Sequence, residues 1–511
     1  PGEAAVARGL DPAEARGKQI YIRGTSPRDS ELTALVGEEQ VSLPASVVPC
    51  ASCHGRDGRG RPEGGVIPSD IRWSIMSKSY GHVHDNGRRH PAFDATSLAV
   101  VLSTGMDPGQ NRLDPSMPLY QMSAADTADL IAYLKRLESD RDPGVGERQI
   151  QIATLLPLQG PRGKLGQAMA QVLHGYFKDL NDQGGVFGRR VELLVVPTAE
   201  SAEATLGNLR LALDREGVFA LVGAYTVGLD EALLDLLRET AVPLIAPFTL
   251  DPGDETLNEA AFYLYAGFTD QLRVLADEAV DEAVKEGTAA EFKALLVAPG
   301  NAQADRLLAA TDERLRERGA GGVVPLRYAP GAMDPRAIAG QVAEHKGDAL
   351  FFFGEPAELD ALLKALADRE PPRVYLLSSF APRSLLEAPP GFHYRIFVAY
   401  PTLARDLSTR GRNEYQLLAG RHGLPRDHVQ AQISAFAAAK LMVEGLRQTG
   451  RDLNRDKLVD ALEALYGFET GLTPPLSYGP NRRTGARGAY VMAVDLMKKS
   501  YQPVGGWHEI R

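Results

Sequence analysis

The spacing of apolar positions changes near residue 140. Before it, short apolar segments are separated by clusters of glycine, proline and charged residues, as at 55–60 and 107–109. After it, compact apolar runs alternate with longer segments in which apolar residues recur every three or four positions. The first pattern is typical of a small, loop-rich domain, and the second of strands that alternate with helices. The sequence therefore predicts two parts of different architecture.

Two helices are predicted in the first part. One begins at Asp11, which can cap it, with Pro12 at the first helical position and Glu14 placed to bond back to the cap. A small all-α domain that is closed by its first and last helices is the simplest structure for this pattern. The other helix begins at Ser123 and carries an apolar stripe at helical spacing, formed by Leu130, Ile131, Leu134 and Leu137.

The second part alternates predicted strands with predicted helices. Such alternation favours parallel sheets that carry helices on both faces. About 360 residues exceed one ordinary core, so we expect two α/β lobes. The predicted strands are 149–156, 191–196, 219–222, 243–246, 294–298 and 349–353, and the predicted helices are 166–181, 202–215, 229–240 and 305–318. We expect a multidomain chain with a small all-α domain at 1–140, a linker at 141–148 and a two-lobed α/β domain at 149–511.

Composition and charge exclude several classes of protein. Of the 511 residues, 44% are hydrophobic and 24% are charged, which excludes wholesale disorder and low-complexity repeats. The formal net charge is −10, so a dedicated nucleic-acid-binding protein is not expected. No run approaches the roughly 18 apolar residues of a membrane-spanning helix. The sequence begins at Pro1 without an apolar leader, which leaves a removed export signal and a trimmed N-terminus open.

The two cysteines of the chain lie three positions apart, in Cys50-Ala51-Ser52-Cys53-His54. This C-x-x-C-H spacing is the attachment signature of c-type haem. Two thiols one helical turn apart can add to the two vinyl groups of one porphyrin, and His54 then reaches the iron from the same face. A zinc site would need a second pair of ligands, and a thioredoxin-type dithiol would lie in a βαβ unit. We therefore predict one covalent haem c, with His54 as an iron ligand.

Met117 is the candidate for the second axial ligand of the iron. It lies in Asp114-Pro115-Ser116-Met117-Pro118, just before the last predicted helix. A thioether ligand raises the potential of a haem relative to a second histidine. The alternatives are that Met117 only fills the core, or that Met106, Met122 or a histidine is the ligand.

Other features of the first part accompany the haem motif. They are Gly17 and Tyr21 in the first helix, the loop 105–118 and Tyr133 in the last helix. Together with the cysteine motif they resemble class I cytochromes c across residues 10–138. The resemblance implies an electron carrier that meets a redox partner protein. Because haem c is assembled outside the cytoplasm, it also implies an exported, periplasmic protein whose leader was removed.

An insertion between His54 and Met117 departs from a minimal cytochrome. It contains His82, His84 and His90, which could form a metal site or supply an iron ligand, although a solvated loop beside the haem is the simpler interpretation. The insertion is locally basic, so it could steer an acidic redox partner or pair with the haem propionates. The arginines concerned are Arg56, Arg59, Arg61, Arg72, Arg88 and Arg89.

Several segments of the second part occur in a characteristic order, at 152–160, 180–190, 221–225, 243–247, 353–354 and 476–480. In this order they resemble type I periplasmic substrate-binding proteins of the leucine/isoleucine/valine-binding family. The resemblance implies two lobes around a hinge, with a small ligand in the cleft between them. A branch of these proteins is associated with quinoprotein alcohol dehydrogenase systems. The expected first lobe spans about 149–266 and 401–475, and the second about 267–400 and 476–511.

The same resemblance implies which residues face the ligand. In amino-acid-binding members, hydroxyl groups hold the carboxylate of the ligand and an acidic residue holds its ammonium. Here the hydroxyl positions fall on Val227 and Leu250, and the acid falls near Glu358, which could instead only begin a helix. The missing hydroxyls and three nearby aromatic residues argue against an ordinary amino acid as the ligand. The candidate ligand-binding residues are Tyr225, Thr226, Phe248, Thr249, Phe268, Asp270, Glu355 and Glu358.

Three functions are compatible with these motifs. The first is a periplasmic electron carrier joined to a solute-binding module, with a quinoprotein dehydrogenase or another cytochrome as redox partner. The second is a solute-binding protein of an ABC permease or a receptor, with the haem as a redox switch. The third is a haem enzyme such as a peroxidase, which needs an open position on the iron. Since no hydrolase or phosphate-binding motif is present, we favour the first, non-enzymatic function.

Overall fold

The computed structural model describes residues 10–28, 31–60, 62, 65–84, 87–251, 260–288 and 291–510. The chain forms two compact units, Pro1–Asp142 and Pro143–Arg511. Two features of the sequence, the start of the chain at Pro1 and the basic residue Arg61, lie outside the described residues. Among the described helices, none combines the length and the apolar character that crossing a bilayer requires.

The first unit is helical and packs around one apolar core. The predicted start of its first helix is confirmed, because Asp11 and Glu14 each accept a hydrogen bond from the backbone N–H of the other. The first and last helices cross at Gly17, where a Cβ atom would lie 2.0 Å from the carbonyl oxygen of Asp129. The helices are α1 Pro12–Arg23, α2 Cys50–His54, α3 Trp73–Met76, α4 Ala95–Thr104 and α5 Ala124–Arg136.

Strands are a feature of this unit that the expected all-α domain lacks. Three of them form an antiparallel sheet in the order β2-β1-β5, and two form a hairpin, β3-β4. Ala34 pairs with Tyr120, far away in the sequence, so local periodicity does not reveal the sheet. The helical character is confirmed, and the sheet corrects the expectation of helices alone. The strands are β1 Thr33–Val36, β2 Val41–Pro44, β3 His82–Val83, β4 Arg89–His90 and β5 Leu119–Gln121.

The second unit contains two sheets, each covered by helices, as the alternating pattern predicts. The first sheet is parallel throughout and has the order β16-β10-β9-β8-β6-β7. Its strands are β6 Gln149–Leu156, β7 Arg190–Pro197, β8 Leu221–Val222, β9 Leu244–Ile245, β10 Ala261–Tyr265 and β16 Thr484–Ala486. The helices of this part of the chain are α6 Gly163–Asp182, α7 Ala202–Ala212, α8 Asp230–Thr240, α13 Thr409–His422, α14 Val429–Thr449 and α15 Arg455–Glu463.

The second sheet has the order β12-β11-β13-β14-β15-β17-β18. It is parallel up to β15, and the last two strands are antiparallel. Leu296 and Phe351 pack in one core and their neighbours Leu295 and Leu350 in another, so both faces of the sheet are buried. Its strands are β11 Lys293–Pro299, β12 Gly322–Tyr328, β13 Ala349–Phe352, β14 Arg373–Leu377, β15 Ile396–Tyr400, β17 Gly488–Asp495 and β18 Ser500–Glu509. The helices are α9 Phe268–Lys285, α10 Ala302–Glu317, α11 Pro335–His345 and α12 Pro356–Ala365.

The expected assignment of 476–511 to the second lobe does not match the strand pairing throughout. Within this segment β16 is an edge strand of the first sheet, where Thr484 pairs with Tyr263. Only β17 and β18 join the second sheet. The chain therefore passes between the sheets three times, after β10, after β15 and after β16.

Candidate functional site

The C-x-x-C-H segment forms helix α2, which begins directly after Pro49. Cys50 and Cys53 are one turn apart, so both thiols leave the same side of the helix. Neither cysteine is in a disulfide; Cys50 is buried and Cys53 is exposed. Burial raises the pKa of the Cys50 thiol to about 11. The segment therefore presents two free thiols at the spacing that haem attachment needs.

Two tyrosines from other elements hold this segment in place. Tyr21 of α1 donates a hydrogen bond to the carbonyl oxygen of Gly55 at 2.6 Å. Tyr120 of β5 donates to the carbonyl oxygen of Val48, also at 2.6 Å. Both side chains are buried, so these bonds fix the two ends of the short helix within the core.

His54 is oriented by a single backbone contact. Its Nδ1 atom lies 2.9 Å from the carbonyl oxygen of Ser69. A carbonyl oxygen only accepts, so Nδ1 carries the proton and Nε2 keeps its lone pair. Burial lowers the pKa of His54, which favours the neutral imidazole that metal ligation requires. This tautomer leaves the lone pair of His54 Nε2 available to a metal.

Next to α2 lies a cavity of about 390 Å³. Cys50, Cys53, His54 and Met117 all line it. Its volume lies within the range of small-molecule and cofactor sites. Most of the remaining wall is apolar and excludes water, and it includes Ile71, Ile75, Phe93, Leu98, Val101, Leu102, Leu130 and Leu134.

The methionines of the first unit differ in whether they line this cavity. Met117 lines it, whereas Met106 and Met122, the alternatives considered from sequence, are not among its lining residues. Met76, which the sequence did not single out, is buried and does line it. Two thiols, an imidazole with a free lone pair and a thioether around an apolar cavity are the donor set of a covalently bound haem. The residues present therefore fit this group.

The histidines of the insertion lie at the same cavity. His82 pairs with His90 in the β3-β4 hairpin, and His82, His84 and His90 all line the cavity. The ring centroids of His82 and His84 are 4.5 Å apart, and those of His84 and His90 are 5.1 Å apart. Among the described residues, no group of histidine, cysteine and acidic side chains has the arrangement of a metal site.

Some arginines of the insertion form ion pairs with carboxylates. Arg88 bonds to Asp107 at 2.6 Å, and Asp107 is only 1% exposed. Arg72 bonds to Asp70 at 2.6 Å in a more exposed pair. The local excess of basic residues is therefore balanced in part by acidic neighbours.

In the second unit, loops that follow β8 and β9 meet at the carboxyl ends of the strands. Tyr225 and Phe248 stack with ring centroids 5.8 Å apart and planes inclined by 15°. The guanidinium of Arg162, from the loop after β6, lies 5.6 Å from the Tyr225 ring centroid. Thr226 is buried, and its N–H donates to the carbonyl oxygen of Phe248. The loops that carry Arg162, Tyr225 and Phe248 are thus brought together, with an aromatic pair between them.

A small cavity of about 80 Å³ lies where the chain first passes between the sheets. Two predicted residues, Thr249 and Phe268, line it. Ser378, Ser379 and Pro401 also line it, and sequence reasoning missed them. Ser378 and Ser379 directly follow β14, and a polar pair at the carboxyl end of a parallel strand was the available signal.

Asp270, a candidate ligand-binding residue, takes part in ion pairs within the protein. Its carboxylate contacts Arg273 at 3.3 Å and Arg487 at 3.2 Å. Arg487 lies between β16 and β17, so this ion pair joins the first and the third passage of the chain between the sheets. The ion pairs of Asp270 therefore stabilise the connection between the lobes.

Glu355 and Glu358 form the start of α12. The side chain of Glu358 accepts a hydrogen bond from the backbone N–H of Glu355 at 2.9 Å. One carboxylate oxygen of Glu358 also accepts from the hydroxyl of Tyr328 at 2.6 Å. These contacts are those expected of residues at the start of a helix.

Sequence families match both units. Residues 149–500 match the family described as periplasmic binding protein, and residues 47–138 match the family described as cytochrome c. The chain belongs to the periplasmic binding protein family. Its first unit contains a cytochrome c domain, which implies a haem c. A comparison with curated proteins gives no match.

Solved structures of periplasmic binding proteins share the fold at low sequence identity. A fatty acid ABC transporter substrate-binding protein from Thermomonospora curvata is 17% identical with a TM-score of 0.53, covering 73% of this chain and 95% of that one. A branched chain amino acid ABC transporter from Thermus thermophilus with bound valine is 16% identical with a TM-score of 0.55, covering 71% and 97%. A periplasmic binding protein type 1 from Bordetella pertussis Tohama I is 14% identical with a TM-score of 0.53, covering 70% and 100%. The chain therefore joins a cytochrome c domain to a solute-binding domain.

Proposed function

We propose that the chain is a periplasmic electron carrier that holds one covalent haem c and binds a small solute, other than an ordinary amino acid, in its second domain. The observation that carries the proposal is the cavity whose wall includes Cys50, Cys53, His54 and Met117. In this assignment the two thiols form thioether bonds, and His54 Nε2 and the Met117 sulfur are the axial ligands. Bound haem would supply a one-electron iron couple. The apolar wall would keep water from the iron.

Covalent attachment is tested on the purified, haem-loaded chain. We expect the haem to stay with the polypeptide after denaturation, and the mass to exceed that of the chain by one haem. The double variant Cys50→Ala/Cys53→Ala should release its haem under the same conditions. Wild-type protein from cells that mature c-type cytochromes, but without bound haem, would contradict the proposal.

Electron transfer requires that a partner approach the edge of the haem. Cys53 is exposed, and Val66 and Ile67 are exposed and line the same cavity. An accessible apolar edge of this kind suits transient contact with a quinoprotein dehydrogenase or another cytochrome. Rapid mixing of oxidised protein with a reduced quinoprotein should produce the spectrum of reduced haem. If neither partner class exchanges electrons with the haem, the carrier function is wrong.

The contacts in the cleft support a ligand other than an α-amino acid. Glu358, at the position implied for the ammonium, already bonds to Tyr328 and to the start of its own helix. Tyr225 and Phe248 offer a stacked aromatic surface, and Arg162 is the cation nearest to it in the described contacts. We therefore expect a small, largely apolar or aromatic solute.

A thermal-shift screen on oxidised and on reduced protein tests the ligand. Aromatic and apolar solutes should raise the unfolding temperature of the second domain, and leucine or valine should not. Phe248→Ala should abolish the shift, and Tyr394→Ala, far along the chain on an exposed site, serves as the control. Tight binding of branched-chain amino acids would contradict the proposed ligand class. Equal affinity in both redox states would favour two independent functions over a coupled one.

A further inference from the structure

Each lobe of the second unit carries a pair of aromatic rings. In the first lobe, Tyr225 and Phe248 stack with their ring centroids 5.8 Å apart and their planes inclined by 15°. In the second lobe, the ring centroids of Phe268 and Phe380 are 5.4 Å apart and the ring planes are inclined by 53°. The function proposed above uses the first pair and leaves the second pair without a role.

All four rings follow the ends of parallel strands by a few residues. The strands concerned are β8, β9, β10 and β14. Each of them is paired in parallel with its neighbours. In α/β sheets, ligands bind in the crevice outside the carboxyl ends of the strands. The rings of both lobes therefore lie at the edge of the sheets where a ligand is expected.

The two pairs are built alike, with a buried inner ring and a half-buried outer ring. The inner rings are Tyr225 and Phe268, which are 6% and 3% exposed and belong to the core of their own lobe. The outer rings are Phe248 and Phe380, which pack against these same cores. Each inner ring thus holds an outer ring in place, while the outer ring keeps part of its surface for a further contact.

A cavity of about 80 Å³ lies where the segments that carry the outer rings meet. Its wall includes Phe268 and the chain neighbours of the two outer rings, Thr249 and Ser379. Ligand pockets usually enclose about 300–1,000 Å³, so this cavity is too small for a whole solute. It can accept a substituent of the solute while the rest of the solute lies between the lobes.

Within the described part of the chain, the side chains that line this cavity carry no charge. Thr249, Ser378 and Ser379 supply hydroxyl groups, which both donate and accept hydrogen bonds. The amide nitrogen of Gln271 already donates to the carbonyl oxygen of Ala266 at 2.9 Å. The cavity therefore suits an uncharged hydrogen-bonding substituent, such as a carbonyl or hydroxyl group, on an otherwise apolar solute.

We propose that closure of the lobes clamps one planar aromatic ring of the solute between Phe248 and Phe380, with a polar substituent of the ring at Thr249 and Ser379. The proposal rests on the solute-binding function proposed above and narrows its ligand class from apolar or aromatic solutes to aromatic ones. An aromatic ring has two flat faces, and each can contact one outer ring. Hinge closure brings both contacts onto the same solute.

Such a clamp distinguishes a flat ring from a saturated ring of similar size. Contact between two aromatic rings is more favourable than the buried area alone accounts for, and the difference corresponds to about a 2- to 10-fold change in affinity. A saturated ring buries a similar area, but it is puckered and has no π-system. The second unit should therefore bind an aromatic solute more tightly than its saturated counterpart.

Isothermal titration calorimetry of the haem-loaded full chain tests the proposal with matched probes. Benzamide is compared with cyclohexanecarboxamide, and benzyl alcohol with cyclohexylmethanol. Wild-type protein should bind the aromatic member of each pair about tenfold more tightly. Phe248→Leu and Phe380→Leu should each reduce this preference by about 2- to 10-fold, because leucine keeps an apolar contact but has no ring. Phe187→Leu is the matched control, since Phe187 is 46% exposed and precedes β7, at the amino ends of the strands.

Several results would overturn the proposal. They are equal affinity for the two members of each pair, no binding of either aromatic probe, and a preference that Phe380→Leu keeps in full. The thermal unfolding of each variant without solute shows whether it folds, and if one does not, the preference of wild type still decides between an aromatic and a saturated ring. The proposed function fails in other ways. Wild type without covalent haem contradicts the electron carrier, and tight binding of leucine or valine contradicts the wider ligand class.

Discussion

Met117 reaches the haem cavity from a loop whose backbone is held on both sides. Leu113 donates its N–H to the carbonyl oxygen of Gly105 at 2.8 Å, and Met117 donates its own to Asp114 at 2.9 Å. Directly after the loop, Leu119 pairs with Leu35 in the small sheet. The thioether is therefore positioned before any cofactor binds, which suits an axial ligand that must keep its place in both oxidation states.

Replacing Met117 by alanine tests this role. Met117→Ala should remove the methionine-to-iron absorption band and lower the midpoint potential, because a thioether stabilises the reduced iron. Met122→Ala is the matched control, since Met122 is outside the lining of the cavity. A retained band in Met117→Ala would identify another sulfur ligand, and Met76 is then the next residue to replace.

The buried pair Arg88–Asp107 should matter far more for stability than the more exposed pair Arg72–Asp70. Removing one partner of a buried ion pair costs about 3–5 kcal/mol, whereas an exposed pair contributes about 0–1 kcal/mol. We expect Asp107→Ala to lower the free energy of unfolding of the cytochrome c domain by the first amount and Asp70→Ala by the second. Urea unfolding followed by haem absorption measures both, and equal losses would contradict the assignment.

The carboxylate of Asp107 should also make the free energy of unfolding depend on pH. Burial alone would raise the pKa of Asp107, but hydrogen bonds from Asn111 and Arg88 outweigh it and hold the pKa below its usual value. A pKa that is lower in the folded state stabilises the fold above the unfolded value of about 3.9, and this stability is lost as pH falls through the folded value. Unfolding free energy should thus decline below about pH 4, and less steeply in Asp107→Asn. If the free energy of unfolding declines equally steeply in wild type and in Asp107→Asn, other carboxylates determine the response to acid.

At the residue scale, local motifs were predictable and long-range partners were not. The haem motif and Met117 were found because their chemistry is contained in a few consecutive residues. The position of His84 and His90 at the haem cavity was not, because it depends on the pairing of β3 with β4. The contact of Asp270 with Arg487 was not predictable either, because it joins residues that are distant in the sequence.

At the scale of the elements, helices α1 and α5 lie very close together at Gly17, which has no side chain. A Cβ atom at Gly17 would lie 2.0 Å from the carbonyl oxygen of Asp129 and 2.7 Å from Cβ of Tyr133. Both of these neighbours belong to α5, and neither a carbonyl oxygen nor a Cβ atom can move without its helix. The two helices can therefore cross at this distance only with glycine at position 17.

Gly17→Ala should force the helices apart and destabilise the cytochrome c domain by about 1–3 kcal/mol, as overpacking does. The matched change Gly207→Ala lies on an exposed face of α7 with open space around it. It should stabilise the binding domain by about 0.5–1 kcal/mol, since alanine favours the helix. Chemical unfolding of each variant checks the two signs. A neutral Gly17→Ala would mean that the helices cross less closely.

Two helices begin or end at other residues than predicted, because a cap or an irregular turn determines the boundary. Helix α10 begins earlier than predicted because Asn301 caps it, accepting a hydrogen bond from the N–H of Ala304. Helix α7 ends earlier than predicted because its last turn widens at 213–217. The long helices of the second domain were predictable from their apolar stripes. Strands β8 and β9 lie within the predicted segments 219–222 and 243–246 but are shorter than these segments.

At the scale of the whole molecule, each compact unit has apolar cores of its own. We therefore expect two thermal transitions, of which only one changes the haem absorption. A solute that binds the cleft at 100 times its Kd should stabilise the other transition alone, by about 2.7 kcal/mol. Differential scanning calorimetry with and without the solute measures this. A single transition, or a shift of both, would show that the units unfold together.

The three passages of the chain between the two sheets determine the order in which the molecule can be completed. The cytochrome c domain is continuous and ends at Asp142. The first sheet lacks its edge strand until β16 has been added, and the second lacks β17 and β18. A chain synthesised from its N-terminus can thus finish its cofactor domain while both lobes are still incomplete. Proteolytic removal of the C-terminal hairpin would reopen a sheet edge and leave the cofactor domain whole.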